Sequence, residues 1–263
     1  MSKAFVVGFV MGLVLLAVGG VGASRRHQKD VEQEKDRAEL KEYQAELRDA
    51  TAVRFGVLTD NQRIHSRLFA KYLQLGSNRT ISGLVAAAEG KGKIVSSVVF
   101  VGNAELLTES ETPENYFHQL ANASDAVIRG RVTKRVSQIT EDDGFVLTDY
   151  DVLAAEVFKN NATQPIETGA MITVTRPGGK VLLDGVIVKA IDEAFAPLPL
   201  NDHDVVLFLK FIPETGAYKA TRPTGSFELD GTIIRPLTGV AFPPGVLRNG
   251  DSFLKTVRAV SNQ

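Results

Sequence analysis

The sequence has no cysteine and no tryptophan among its 263 residues. Without cysteine there are no disulfides, no thiolate-ligated zinc, no iron–sulfur cluster, no thiol nucleophile and no lipid-modified cysteine anchor. Compartment is left open, because a chain without thiols is indifferent to redox potential. A surplus of one charge sign is missing too: 30 Lys and Arg face 31 Asp and Glu, a net charge of −1. A dedicated nucleic-acid binder carries a basic excess, so nucleic acid is not expected as a partner. No Gly-x-Ser-x-Gly elbow occurs, and the four histidines (His27, His65, His118, His203) lack a metal-ligand spacing such as His-Glu-x-x-His. The sequence therefore implies no cofactor and no catalytic set.

What is present is a globular composition, 44% hydrophobic and 23% charged, which excludes wholesale disorder. The strongest single signal is the uncharged apolar run from Ala4 to Ala23. Twenty residues at about 1.5 Å each make a helix of about 30 Å, the thickness of a bilayer's hydrocarbon core. The competing reading is a cleaved signal peptide, since Val21-Gly22-Ala23 offers small residues to a peptidase. The length of the run and the Arg25-Arg26 pair directly after it favour a retained anchor. Arg25, Arg26 and Lys29 after the run point to a cytoplasmic body by the positive-inside rule. A short N-terminal tail with one Lys is also how export signals begin. The expectation is a single-pass protein of the bacterial cytoplasmic membrane with an extracytoplasmic body. Gly8 and Gly12 form a small-xxx-small pair for helix packing within the membrane.

The segments that follow are read as a charged helical stalk (25–50), a mixed helical segment packing on a barrel (51–125), a β-barrel domain (126–240) and a C-terminal tail with a short helix (241–263), after a membrane helix at 1–24. The stalk is rich in Glu, Lys, Gln, Arg and Ala and free of Gly and Pro. Leu40, Tyr43, Leu47 and Ala50 keep an a/d spacing for only two heptads, which allows self-association without specifying a coiled coil. Thr59-Asp60 opens a helix, Thr80 to Ala88 is a second, Ile94 to Val101 reads as a strand, and Thr112-Pro113-Glu114 opens another helix. From Ala126 the hydrophobic period changes from 3.6 to 2, and Asp184-Gly185 and Asp230-Gly231 supply hairpin turns. Asp251-Ser252 caps a last short helix. The fold expected is mainly β with an α-helical N-terminal part and a compact antiparallel barrel.

The strand ADAVIRGRV, the segments EDDGFVLTDYDV and VTRPGG, and the strand VVLFLKFIPETGAY resemble uncharacterised bacterial exported or membrane-anchored proteins with a compact β-barrel. Thr175 to Lys180 with Asp184-Gly185 is similar to the OB-fold hairpin of small membrane-tethered domains that accompany stomatin-like proteins. The first resemblance covers the second half of the chain, the other about twenty residues. Both imply an OB-like architecture, and neither brings functional residues.

Four clusters invite a chemical reading. Asn201-Asp202-His203-Asp204, with Asp192-Glu193, has ligand types for a divalent cation, although neighbours on an extended chain point to opposite faces. Pro177-Gly178-Gly179-Lys180 looks like a phosphate loop but lacks the Ser or Thr and the helix that such a loop needs, so a β-turn is expected. Arg129, Arg131, Thr133 and Arg135 give the first barrel strand a basic face without stacking aromatics. Asp142, Asp143, Asp149 and Asp151 have the type of acid/base carboxylates, but their positions in a loop and at the start of a strand read as solvent-exposed turn residues. Two functions compete. One is a membrane-anchored, non-enzymatic interaction module or accessory subunit, with the lipid bilayer and a membrane protein as partners. The other is a membrane-tethered, metal-assisted hydrolase around Asp202, His203 and Asp204.

Overall fold

The computed structural model describes residues 31–70, 80–88, 90–99, 112–200, 203–239 and 249–261. The apolar run 4–23, with Gly8 and Gly12, lies outside them. No described helix is long and apolar enough to cross a membrane. The chain divides into two compact units, Met1–Arg48 and Asp49–Gln263.

In the first unit, the described residues form helix α1 over 31–47. Its sequence is made of strong helix formers, and Lys35 and Glu39 pair one turn apart at 3.8 Å. Val31, Leu40 and Leu47 of this helix are exposed.

The second unit is mainly β. Its elements are β1 (Thr51–Ala52), α2 (Asp60–Ala70), α3 (Ile81–Ala87), β2 (Ile94–Val99), α4 (Pro113–Ala123), β3 (Ala126–Ile139), β4 (Val146–Asn160), β5 (Met171–Pro177), β6 (Gly179–Leu183), β7 (Val186–Asp192), β8 (Asp204–Ile212), β9 (Ala217–Ala220), β10 (Ser226–Asp230), β11 (Ile233–Pro236) and α5 (Gly250–Ser261). The helix starts expected from sequence are capped as their residues dictate. The Thr80 hydroxyl accepts from Gly83 N–H at 3.0 Å, and Thr112 caps α4 with Pro113 in its first turn.

Strands β8, β3, β4, β5 and β9 hydrogen-bond in that order, and β9 returns to β8, so five strands close into a ring. All ring contacts are antiparallel except the parallel pair β5–β9. Strands β10 and β11 extend the sheet from β8. Three register shifts bend β3 against β4. At one of them Gly130 lies so close to its neighbour that an added Cβ would stand 2.6 Å from the Leu153 carbonyl oxygen.

The hairpin β6–β7 leaves the ring. It forms a four-stranded sheet with β1 and β2, in the order β1-β6-β7-β2. Its turn is Asp184-Gly185, both residues with positive φ as a two-residue turn between twisted strands requires. This differs from the expectation that every strand after Ala126 belongs to one barrel. Pairing partners distant in sequence, β1 with β6 and β2 with β7, draw the hairpin away.

Three apolar clusters fill the unit. Inside the ring, Ile128, Val132, Tyr150, Val152, Val205 and Leu207 pack together. Outside it, α4 and α5 cover β8 and β10 with a cluster of Phe117, Phe208, Phe227 and Phe253, whose ring centroids lie 5.0–6.2 Å from their neighbours. Val205–Leu209 is therefore buried on both faces: Val205, Leu207 and Leu209 point into the ring, Val206 and Phe208 out to the helices. The segment expected as a tail thus contributes α5 to the core, with Phe253, Leu254, Val257 and Val260 buried. The third cluster joins α2, α3 and the four-stranded sheet to β3 and β4.

Candidate functional site

The cluster with the most metal-like residue types is already committed elsewhere. Asp204 opens β8 opposite Arg131 of β3. Its carboxylate accepts from Arg129 Nη2 at 2.6 Å and from Arg131 Nη2 at 2.9 Å. His203 Nδ1 lies 2.5 Å from Glu228 Oε1, and its Nε2 lies 3.5 Å from Asp230. Two guanidinium groups on one carboxylate leave it poorly suited to a cation. Asp202 lies outside the described residues. Among the described residues no three His, Asp or Glu side chains come together in a way that could hold a metal ion.

The loop carboxylates separate in the fold. Asp142 accepts from the Gly144 N–H in a local turn. Asp143, expected to be exposed, is buried: its carboxylate takes the backbone N–H and the hydroxyl of Ser82, and its carbonyl takes Ile81 N–H, docking α3 on the β3–β4 loop. Asp151 accepts from the Thr173 hydroxyl at 3.5 Å. Asp149 belongs to an arrangement not read from the sequence. The Thr175 hydroxyl donates to Asp149 at 2.6 Å, His65 Nδ1 lies 3.2 Å from Thr175 and 3.4 Å from Asp149, and His65 Nε2 lies 2.8 Å from the Thr215 hydroxyl.

Hydroxyl, imidazole and carboxylate in series have the order of a nucleophile relay. The neighbouring backbone amides are committed to the turn. The backbone N–H groups of Thr215 and Gly216 both donate to the Ile212 carbonyl, and Ala217 N–H turns to the Thr215 hydroxyl. These three amides therefore do not form an oxyanion hole as they stand. His65, buried on α2, instead pins that helix to β4, β5 and the β8–β9 turn.

A second cluster of charged side chains lies where β5 passes into β6. Pro177-Gly178-Gly179-Lys180 is not the hairpin turn expected: a single residue, Gly178, links a strand of the ring to a strand of the other sheet. Gly178 and Gly179 have φ of 89° and 144°, and a Cβ on Gly179 would meet the Thr148 hydroxyl at 2.1 Å. Only glycine fits there. The corner borders a cavity of about 170 Å³, walled by Arg135, Thr148 and Tyr150 of the ring, Lys180, Lys189 and Asp192 of the hairpin, and Phe195 and Pro197 beyond it.

Asp49 closes the wall, with Arg135 Nη2 at 2.8 Å and Lys180 Nζ at 3.7 Å from its carboxylate. Arg135 thus stands apart from Arg129 and Arg131, and the expected basic face divides between two carboxylates.

Two buried ionisable groups meet beside this cavity. Asp192 accepts from Ala194 N–H with one oxygen, while the other has no partner. Burial pushes its carboxyl up to about 6. Behind Phe195, whose ring centroid is 5.2 Å from the guanidinium, Arg176 is buried. Its Nη2 donates to the Leu237 carbonyl at 3.1 Å, and its Nε and Nη1 have no partner. Burial pulls its guanidinium down to about 10. The Tyr150 hydroxyl beside it is likewise pushed up by burial. Sequence reading missed Arg176 because it stands in a run of turn formers. The available signal was an arginine between Val174 and Pro177 at the end of a strand whose last four residues are all buried. Comparison with protein-family models gives no match, and comparison with curated proteins gives none either.

Proposed function

We propose that the protein is a non-enzymatic interaction module, or an accessory subunit of a membrane complex, that presents a small OB-like barrel at the membrane surface. The observation that carries this reading is the engagement of the residue types catalysis would need. Asp204 is held by Arg129 and Arg131, His203 by Glu228, and the Thr215 hydroxyl and its neighbouring amides by His65 and the turn. An enzyme site needs such groups convergent and available.

The OB-like reading is supported by five ring strands in Greek-key order, with one parallel contact between the third and the fifth. Anchoring is supported by the sequence alone: the apolar run 4–23, followed by a charged helix, would hold the barrel at the bacterial cytoplasmic membrane with its body outside the cytoplasm. Tethering raises the effective concentration of a weakly binding protein partner, whether a second copy joined through Gly8, Gly12 and the stalk or another membrane protein.

Purification of the native protein in mild detergent, with identification of what accompanies it, tests this reading. A discrete stoichiometric complex supports the module. A monomer that carries a divalent metal and loses function when Asp202 and His203 are replaced by Ala supports the hydrolase instead.

A further inference from the structure

Strand β3 is paired along both edges only in its first half. Strand β8 accompanies it from Ala126 to Arg131, whereas from Lys134 to Ile139 it pairs with β4 alone. Backbone groups alternate between the two edges of a strand. The Thr140 N–H donates to the Phe145 carbonyl on the β4 side, so the backbone groups of Ser137 and Ile139 face the other way. The Ser137 N–H marks that edge by donating to the Thr51 hydroxyl at 2.9 Å. Among the described residues no hydrogen bond reaches the Ser137 carbonyl or the Ile139 N–H. An open edge of this kind is a template for a further strand.

A groove of about 420 Å³ lies along it, with 136–139 on one wall and 51–54 and 56–58 on the other. That volume is in the range of ligand sites, about 300–1,000 Å³. The far wall ends in a tight turn, in which the Val57 N–H donates to the Arg54 carbonyl at 3.2 Å and Gly56 has φ 74°. Phe55 and Val57 stand out from this turn, 54% and 71% exposed. Arg54 beside them is exposed and, among the described residues, makes no ion pair.

We propose that this groove takes up an extended segment of a partner protein, apolar with an acidic side chain at one end, as an added strand on β3. Opposite Gln138, one residue of a segment parallel to β3 donates its N–H to the Ser137 carbonyl and accepts the Ile139 N–H. Alternate side chains of the segment lie against Val53, Val57 and Leu58, and its carboxylate pairs with Arg54. The charge selects the partner: an acidic segment matches the guanidinium and a basic one is repelled. A lipid headgroup could meet Arg54, but it has no backbone to complete the β3 edge. The site rests on the reading of the protein as an interaction module and names the chemistry of its partner.

Random heptapeptides displayed on phage, selected against the full-length protein in detergent, supply the probe. Selection should enrich a motif with apolar residues at every second position and Asp or Glu at one end. The synthetic peptide should then bind the purified protein saturably by fluorescence anisotropy. Methylating its backbone nitrogens one at a time should weaken binding roughly tenfold at alternate positions only, because every second N–H of an extended chain faces β3. Arg54→Glu should weaken it roughly two- to tenfold. Val57→Asp should also weaken it, while Ile233→Asp, at an exposed position on β11, should not. The proposal is overturned if no motif emerges, if methylation costs the same at every position, or if Arg54→Glu leaves binding unchanged. A motif that matches a stretch of this chain would assign the groove to a second copy and overturn the foreign partner. Co-purification decides the module reading separately: a stoichiometric complex, without peptide binding in this groove, refutes the groove alone.

Discussion

The two sides of the β-ring are built on opposite terms. On the side of α4 and α5, Phe117, Phe208, Phe227 and Phe253 interlock. Charge is absent from its centre, and the hydroxyls at its edge are mostly paired: that of Tyr116 donates to Thr224 and that of Ser124 to the Leu120 carbonyl, while Ser226 and Ser261 keep neutral hydroxyls without a partner. On the side of the β6–β7 hairpin, Arg176 and Asp192 are both buried with open hydrogen-bonding positions. A fold optimised for stability alone would not bury charge with open hydrogen-bonding positions. The difference separates a region that holds the ring together from one that keeps charge available.

Substitutions on each side should break this comparison or sharpen it. The largest effect is expected from Phe117→Ala, which empties the centre of the aromatic cluster. It should cost about 3–5 kcal/mol in urea unfolding, as large-to-small changes in a packed core do. Gly179→Ala should follow at about 2–3 kcal/mol, because the new Cβ is strained at φ 144° and collides with the Thr148 hydroxyl. A Thr148→Ala background should restore only the part due to the collision.

Asp192→Asn should act in the opposite direction. The folded carboxyl, raised to about 6, holds its proton to higher pH than the unfolded one, near 3.8. Stability of the natural protein therefore falls as pH rises between these values, and the penalty stays in full above about 6. The charges that bear on this carboxyl are Arg176 and Glu193. Asn should raise stability by about 1–3 kcal/mol at pH 7.5 and change little below pH 4. Unfolding midpoints across that range check the sign. The smallest effect belongs to His203→Ala, a half-exposed partner of Glu228, whose loss should cost about 0–1 kcal/mol in a thermal melt.

What could be read from the sequence follows from the range over which each signal acts. Local signals were legible: Asp184-Gly185 as a hairpin turn, Thr112-Pro113 as a helix start, and the change of period at Ala126. Their partners lie within a few residues, so the chemistry is complete in the string. The departure of β6–β7 from the ring was not legible, because it depends on β1 and β2, which pair with the hairpin from far away in sequence. The same holds for the site. His203 and Asp204 drew attention as neighbours in the chain, yet their partners Glu228, Arg129 and Arg131 come from other strands. His65 carries no motif, Asp192 reads only as a neighbour of the metal-like cluster and Arg176 only as part of a turn, since the character of all three comes from burial. Asp202, Gly8 and Gly12 lie outside the described residues.

The charges beside the hairpin are expected to be kept despite their cost to the fold. Urea unfolding of the double variant Arg176→Met, Asp192→Asn at pH 7.5 tests it most directly. Replacing buried, poorly compensated charge by groups of similar size should raise the unfolding free energy by about 1–4 kcal/mol. A fall as large as that expected for Phe117→Ala would contradict the account and make these charges part of what holds the ring together.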